Sequence, residues 1–308
     1  MISTQELFRL IKGPIAVAEP LAPYTGLRIG GTADYFIKPR DRGDLCRAFG
    51  YFRERGLPFF VLGRGTRLLV HEHGFRGTVI ATHLLDRIVV DGDMVEADAG
   101  AAIPALTERV AKASLGGLVD FGTGAGTVGG ALCRIDGTPG RQTCECLEWV
   151  DILRNGRVKR LKNGELHASM AKRGFVADVI LGAGFRLRKV SSRHRHPAPN
   201  HIPDSGTVSS SEQSARVFRD PEPRPGSVTA TAGELLDACG LRGTVRGGAI
   251  FSDTDANRIL NSGSASSGDV LELVSHARES VHKRFGVELE LSLVLVGHNR
   301  SGSHVPFT

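Results

Sequence analysis

Two glycine-rich turns constrain this chain more than any other feature. Gly63-Arg64-Gly65-Thr66 directly follows the apolar run Phe59-Phe60-Val61-Leu62, and Gly124-Ala125-Gly126-Thr127-Val128-Gly129-Gly130 follows the run Leu118–Phe121. Main chain without bulky side chains can turn its N–H groups outward, and phosphate oxygens can then approach closely. Either run alone could be no more than a tight turn. Two on one lobe suit the linked phosphates of a dinucleotide. Neither has the G-x-x-x-x-G-K-[ST] spacing of a P-loop. Neither is a G-x-G-x-x-G opening a helix in a parallel strand-helix-strand unit with an acid about 20 residues later. P-loop and Rossmann-type nucleotide domains are therefore unsupported.

The elements around these turns mix the two structural periods. Residues 41–56 read as a helix with Leu45, Phe49 and Phe52 on one face, ended by Gly56 and Pro58. Strands are expected near 78–81, 87–91 and 94–97, the last two joined by Asp91-Gly92-Asp93. Another pair is expected at 147–153 and 157–161 across Arg154-Asn155-Gly156. A helix spans about 104–114 and a further strand 178–188. The segment 191–230 is rich in His, Pro and Ser and reads as a linker or long loop. Beyond it, helices are expected at 232–239, 253–260 and 269–285, then an alternating strand over 287–296 with Glu288, Glu290 and Ser292 on its polar face. This is an α+β chain with short antiparallel hairpins.

Composition narrows the ligand. The 308 residues carry a formal charge of +6, which suits an anionic ligand. The charges are dispersed, and three Tyr and one Trp offer little for base stacking, so no nucleic-acid partner is expected. No apolar stretch reaches the roughly 18 residues of a membrane span. The N-terminus reads as an amphipathic helix with Ser3 and Glu6 at capping-box spacing, not as a signal peptide. The five scattered cysteines suit reduced thiols and a cytoplasmic home.

Several blocks, in order, resemble the UDP-N-acetylenolpyruvoylglucosamine reductase (MurB) family. They are Leu27-Arg28-Ile29-Gly30-Gly31-Thr32-Ala33-Asp34, Leu62-Gly63-Arg64-Gly65-Thr66-Arg67-Leu68-Leu69-Val70, Gly74-Phe75-Arg76-Gly77 and Gly126-Thr127-Val128-Gly129-Gly130-Ala131. Later come Ala232-Gly233-Glu234-Leu235-Leu236, Gly240-Leu241-Arg242-Gly243, Gly247-Gly248-Ala249, Ala256-Asn257 and Phe285-Gly286-Val287-Glu288-Leu289-Glu290. The resemblance implies an FAD-binding lobe of the vanillyl-alcohol-oxidase (PCMH) type in two subdomains, 1–85 and 86–190. A MurB-like substrate lobe at 191–297 and a tail at 298–308 would follow. It implies non-covalent FAD, NADPH or NADH as electron donor, and a small-molecule substrate that is nucleotide-linked or anionic. Gly63, Arg64, Gly65, Thr66, Arg67, Gly124, Ala125, Gly126, Thr127, Gly129 and Gly130 would then hold the cofactor.

The residues that the family uses for chemistry are where this chain departs. The family's Tyr-Arg-x-Ser motif falls on Met170 and Ala171, with Lys172 and Arg173 adjacent. Its serine block is split: Pro203–Val208 matches one half and puts Thr207 at the proton donor, while Ala215–Pro221 matches the other and puts Arg216 there. Its late glutamate falls on Ser292, two residues beyond Glu290. Thr207, Ser292 and Glu290 are thus the catalytic candidates. A planar cationic donor and a carboxylate are missing, and losing one preorganised donor costs about 100- to 1,000-fold. The expectation is a flavin oxidoreductase with an altered active site, acting on a substrate other than the cell-wall intermediate. The alternatives are the authentic reductase of peptidoglycan synthesis and a catalytically inactive flavin-binding regulator.

Weaker signals have plain explanations. His194, His196 and His201 lie in the linker at no metal-binding spacing. Cys144 and Cys146 read as partly buried thiols, and His71, His73 and Cys133 lie near the loops without a covalent flavin link being expected.

Overall fold

The structure is a computed structural model, described here over residues 4–118, 125–133, 145–171, 178–190, 213–221 and 230–297. The first sheet runs Ile15–Pro20, Thr32–Ile37, Phe75–Ala81, Phe59–Leu62 across its width. The outer pair Ile15–Pro20 and Thr32–Ile37 is antiparallel, and the remaining pairs are parallel. The helix Arg42–Glu54 is the crossover from Thr32–Ile37 to Phe59–Leu62, the parallel strands on either side of Phe75–Ala81. Asp41 caps that helix by accepting from the Asp44 N–H. Leu45, Ala48, Phe49 and Phe52 face the sheet and join Ile37 and Ile80 in one core.

The second sheet is antiparallel throughout, in the order Arg157–Lys162, Leu147–Arg154, Val179–Arg186, Met94–Asp98, Ile88–Asp91. Both expected hairpins form, because Gly92, Asn155 and Gly156 all adopt positive φ at the turns. The helix Ile103–Lys112 lays Ile103, Leu106 and Val110 on this sheet's core. Arg42 clasps the two sheets together. Its guanidinium reaches Asp98 at 2.5 Å and Asp151 at 3.0 Å.

The third sheet is Ser214–Arg216, Arg258–Asn261, Ala249–Phe251, Val245–Arg246. The helix Ser267–Phe285 covers it with Val270, Leu273, Val274, Ala277 and Val281. A capping box at Ser266 and Asp269 starts this helix, and Gly286 in the left-handed conformation ends it. The chain then returns to the first lobe, where Val294–Val296 pairs in parallel with Leu68–Val70. Glu72 strengthens this return by accepting from both the N–H and the hydroxyl of Ser267.

Two expectations fail here. No helix forms at 253–260. The Ser252 hydroxyl accepts the N–H groups of Thr254 and Asp255, and the Asp255 carboxylate accepts that of Asn257. These local bonds compete with a helical turn, and Arg258–Asn261 becomes a strand. The continuous strand over 287–296 also does not form. Only Val294–Val296 is a strand, preceded by an isolated Phe218–Leu291 bridge. Strict alternation is broken there, so Ser292 is buried although it was expected on the polar face.

Candidate active site

The two glycine turns meet. A β-carbon built on Gly63 would lie 2.5 Å from the Thr127 hydroxyl oxygen, and one on Gly126 would lie 4.0 Å from that of Thr66. The first turn carries Gly65 at φ +60°, with its Cβ position 1.9 Å from the Tyr24 carbonyl. The Gly65 carbonyl accepts from the N–H groups of Gly26 and Leu68, at 3.0 and 3.1 Å. Among the described residues, the N–H groups of Thr66 and Arg67 have no backbone acceptor.

The second turn is pinned to the start of helix Ile103–Lys112. Ile103 donates to the Gly126 carbonyl at 3.0 Å, Val128 to Ala101 at 2.9 Å, and Gly129 to Ala99 at 2.8 Å. Thr127 caps the short helix Val128–Leu132 by accepting from the Gly130 N–H. Packing alone explains Gly65 and Gly129, the latter because its Cβ would sit 3.0 Å from that of Ala99. Gly63 is different: its missing side chain is what lets the turns converge. Gly124 lies outside the described residues.

Beside the first turn sits a buried histidine, not anticipated from the sequence, with two cations nearby. His83 lies two residues beyond the strand Phe75–Ala81 and stacks on Tyr24, with ring centroids 6.0 Å apart. Burial, then the nearby charges of Lys38 and Arg64, pushes His83 down to about 4. The Gly63 main chain is close, yet neither ring nitrogen meets a well-formed hydrogen bond among the described residues. Tyr24 is pushed up to about 12 by burial and by the Glu19 carboxylate that accepts from its hydroxyl at 2.7 Å. A neutral ring with unmet hydrogen-bonding capacity, two cations and converging bare turns fit a ligand carrying phosphates. The only sequence hint was a polar pair, Thr82-His83, at the carboxyl end of a parallel strand.

Of the catalytic candidates, Ser292 and Glu290 lie on the returning segment 290–294, beside residues 217–219. Ser292 is buried, and its N–H donates to the Val217 carbonyl at 2.7 Å. Arg219 donates through its N–H to the Glu290 carbonyl at 2.9 Å. The Glu290 side chain is 78% exposed and its carboxylate lies 3.7 Å from the Arg219 guanidinium. It therefore faces solvent, away from Ser292. Arg216, on the strand Ser214–Arg216, pairs with Asp220 at 3.0 Å. Thr207, Lys172 and Arg173 lie outside the described residues, as do the side chains of Met170 and Ala171, which end the helix Asn163–Ala171. Arg67 carries the first turn onto the segment 290–294, since its carbonyl accepts the Val294 N–H at 2.8 Å. Among the described residues no His, Cys, Asp and Glu group could hold a metal, and no helix is long and apolar enough to cross a membrane.

Residues 33–162 match the family described as FAD binding domain, and residues 208–296 match that described as UDP-N-acetylenolpyruvoylglucosamine reductase, C-terminal domain. A UDP-N-acetylenolpyruvoylglucosamine reductase of Chloroherpeton thalassium is 33% identical over 313 residues, covering 96% of this chain and 98% of that protein. A protein of the same name from Rubrobacter xylanophilus is 36% identical over 297 residues, covering 91% and 94%. The crystal structure of UDP-N-acetylenolpyruvylglucosamine reductase (MurB) from Thermus caldophilus superposes with a TM-score of 0.69 at 25% identity. It covers 92% of this chain and 99% of that one. The α+β chain thus combines an FAD-binding lobe with a reductase-type C-terminal lobe, and FAD is its cofactor. It belongs to the UDP-N-acetylenolpyruvoylglucosamine reductase family.

Proposed function

We propose that this chain is an FAD-dependent reductase of UDP-N-acetylenolpyruvoylglucosamine, using NADPH as electron donor and working in the cytoplasm. The observation that carries the reading is similarity along nearly the whole chain to proteins of that name, including both lobes. The small-molecule substrate is anionic, in keeping with a net charge of +6.

Bound FAD supplies the hydride chemistry. The residues supply position and charge. Gly63–Arg67 and Ala125–Thr127 offer main-chain donors to the diphosphate, the N–H groups of Val128, Gly129 and Gly130 being held by Ala101, Ala99 and Thr127, and Lys38 and Arg64 add positive charge nearby. Ser292 lies between the strand Val294–Val296 and the segment 217–219 and offers a hydroxyl at the seam between lobes. Reduction of the enolpyruvyl double bond adds one hydride and one proton. A hydroxyl there can deliver the proton or hold the water that does.

One observation favours a second reading, a different anionic substrate on the same scaffold. In the resemblance, Ser292 occupies the place of the family's glutamate, and Thr207 or Arg216 that of its proton-donating serine.

Anaerobic titration of the FAD-loaded protein separates the two. Under the first reading, NADPH bleaches the flavin and the enolpyruvyl sugar nucleotide restores its colour at turnover rates. Bleaching without that restoration moves the choice to the second reading. Flavin that no nicotinamide or substrate reduces points to a binding protein.

A further inference from the structure

We propose that Arg67, Arg216 and Arg219 form a carboxylate-binding subsite on the seam between the FAD-binding lobe and the C-terminal lobe. It would take the enolpyruvyl carboxylate if the reading above holds, but the anion site itself stands on the geometry alone.

Main-chain bonds bring the three arginines together. Arg67 is tied by its carbonyl to Val294, Ser292 to Val217, and Arg219 to the Glu290 carbonyl. From below, Gly26 wedges between loop and strand: its Cβ position is 2.9 Å from the Thr66 carbonyl oxygen and 3.1 Å from that of Ser214. The first turn, the strand with Arg216 and the returning segment 290–294 therefore share one small neighbourhood.

Among the described residues, charge there is unbalanced. Arg216 has Asp220, whose carboxylate is divided between that guanidinium and the Ala232 N–H. Among the described residues, Arg219 has only the solvent-facing carboxylate of Glu290 at 3.7 Å, a pair of little energetic worth. Arg67 makes no ion pair with a carboxylate among the described residues. Burial, then the charges of Arg216 and Arg219, lowers the pKa of Arg67, as expected of a buried cation crowded by like charges. Guanidinium forks bind carboxylates in bidentate fashion, and an incoming anion relieves the repulsion among the three.

The test is calorimetric titration of the FAD-loaded protein with sodium pyruvate, against uncharged methyl pyruvate. Saturable binding of pyruvate and none of the ester is expected. Arg67→Asn should weaken pyruvate binding by about tenfold or more, and Arg67→Lys by less, because it keeps charge but not the fork. Arg216→Ser should weaken it too. The FAD dissociation constant of each variant should stay within about threefold of the parent, since residue 67 keeps the main-chain N–H that it offers to the cofactor and loses only its guanidinium. Pyruvate that fails to bind the parent protein, or binds Arg67→Asn equally well, overturns the proposal. So does loss of FAD affinity in Arg67→Asn, which would give that guanidinium to the cofactor's diphosphate. None of these outcomes depends on turnover of the sugar nucleotide. A failed assay of that reaction leaves the subsite standing, and a failed titration leaves the reaction standing.

Discussion

Gly63 and Thr127 touch across the cleft: a β-carbon on the glycine would stand 2.5 Å from the threonine hydroxyl oxygen and 3.4 Å from its methyl. They are 64 positions apart in the sequence, one at the end of a parallel strand, the other capping a short helix. Their contact is what converts two separate turns into the two sides of one cradle.

Gly63→Ala should therefore damage the cradle. Threonine is stiff at χ1, and its hydroxyl already holds the Gly130 N–H, so it cannot swing aside freely. Overpacking of this kind costs about 1–3 kcal/mol. FAD affinity should drop by at least about tenfold, each factor of ten being about 1.4 kcal/mol. Flavin fluorescence on reconstitution of the apoprotein measures it. In the double variant with Thr127→Ala, part of the loss should return, giving a non-additive cycle. Additive losses would mean that the two turns act independently.

Ser292→Ala tests the seam. If the hydroxyl serves the reaction, kcat should fall by about 10- to 100-fold, the worth of one hydrogen bond to developing charge at roughly 1.5–3 kcal/mol. KM and FAD affinity should change little, and the solvent deuterium isotope effect on kcat should rise as proton delivery becomes limiting. A variant with a lower melting temperature but unchanged kcat would make Ser292 a packing residue. Its burial makes that control necessary.

Much of this arrangement was legible beforehand. The hairpins were written in Asp91-Gly92-Asp93 and Asn155-Gly156, because few other residues accept positive φ there. The helix Ser267–Phe285 showed in the spacing of Val270, Val274, Ala277 and Val281. The first glycine turn showed as bare main chain after an apolar run. The helix expected at 253–260 failed because its apolar spacing ignored what Ser252 and Asp255 do to their own backbone. His83 was missed because a histidine's role depends on which charges the fold brings near it, here Lys38 and Arg64 from distant positions. The arginine cluster was equally hidden. Arg67 and Arg216 are 149 residues apart, and the return of the strand Val294–Val296 to Leu68–Val70 is what joins them.

His83 should set a pH dependence of stability. Its folded pKa of about 4 lies below the ordinary histidine value of 6.5, so folding favours the neutral ring. That contribution is fully present above about pH 6.5 and is lost progressively as pH falls toward 4. His83→Phe keeps the stack on Tyr24 without the titration. Its melting temperature should fall less than that of the parent protein between pH 7 and pH 4.5, as read by circular dichroism. Parallel profiles for the two proteins would show that the ring does not charge on unfolding in this window.

Asp44 should act in the opposite chemical sense at a lower pH. Its side chain is sealed from solvent at the start of helix Arg42–Glu54. Burial alone would raise its pKa. The N–H groups of Arg40, Lys12 and Gly13, joined by the Arg47 guanidinium, outweigh burial and lower it. All four contacts are 2.9–3.0 Å long, and those of Lys12 and Gly13 tie the chain before Ile15–Pro20 to this helix. Asp44→Asn replaces an acceptor oxygen with an NH2 that must face N–H donors. Leaving such groups unsatisfied in the interior should cost about 2–4 kcal/mol near neutral pH. Since the folded carboxyl is the stronger acid, its contribution exists above about pH 3.9 and disappears as pH falls through the folded value. Denaturant unfolding of the two proteins should show a gap that is widest near neutrality and closes in acid. A gap that does not narrow at all between about pH 5 and pH 3 would mean that the shape of the side chain, not its charge, holds the N-terminal segment in place.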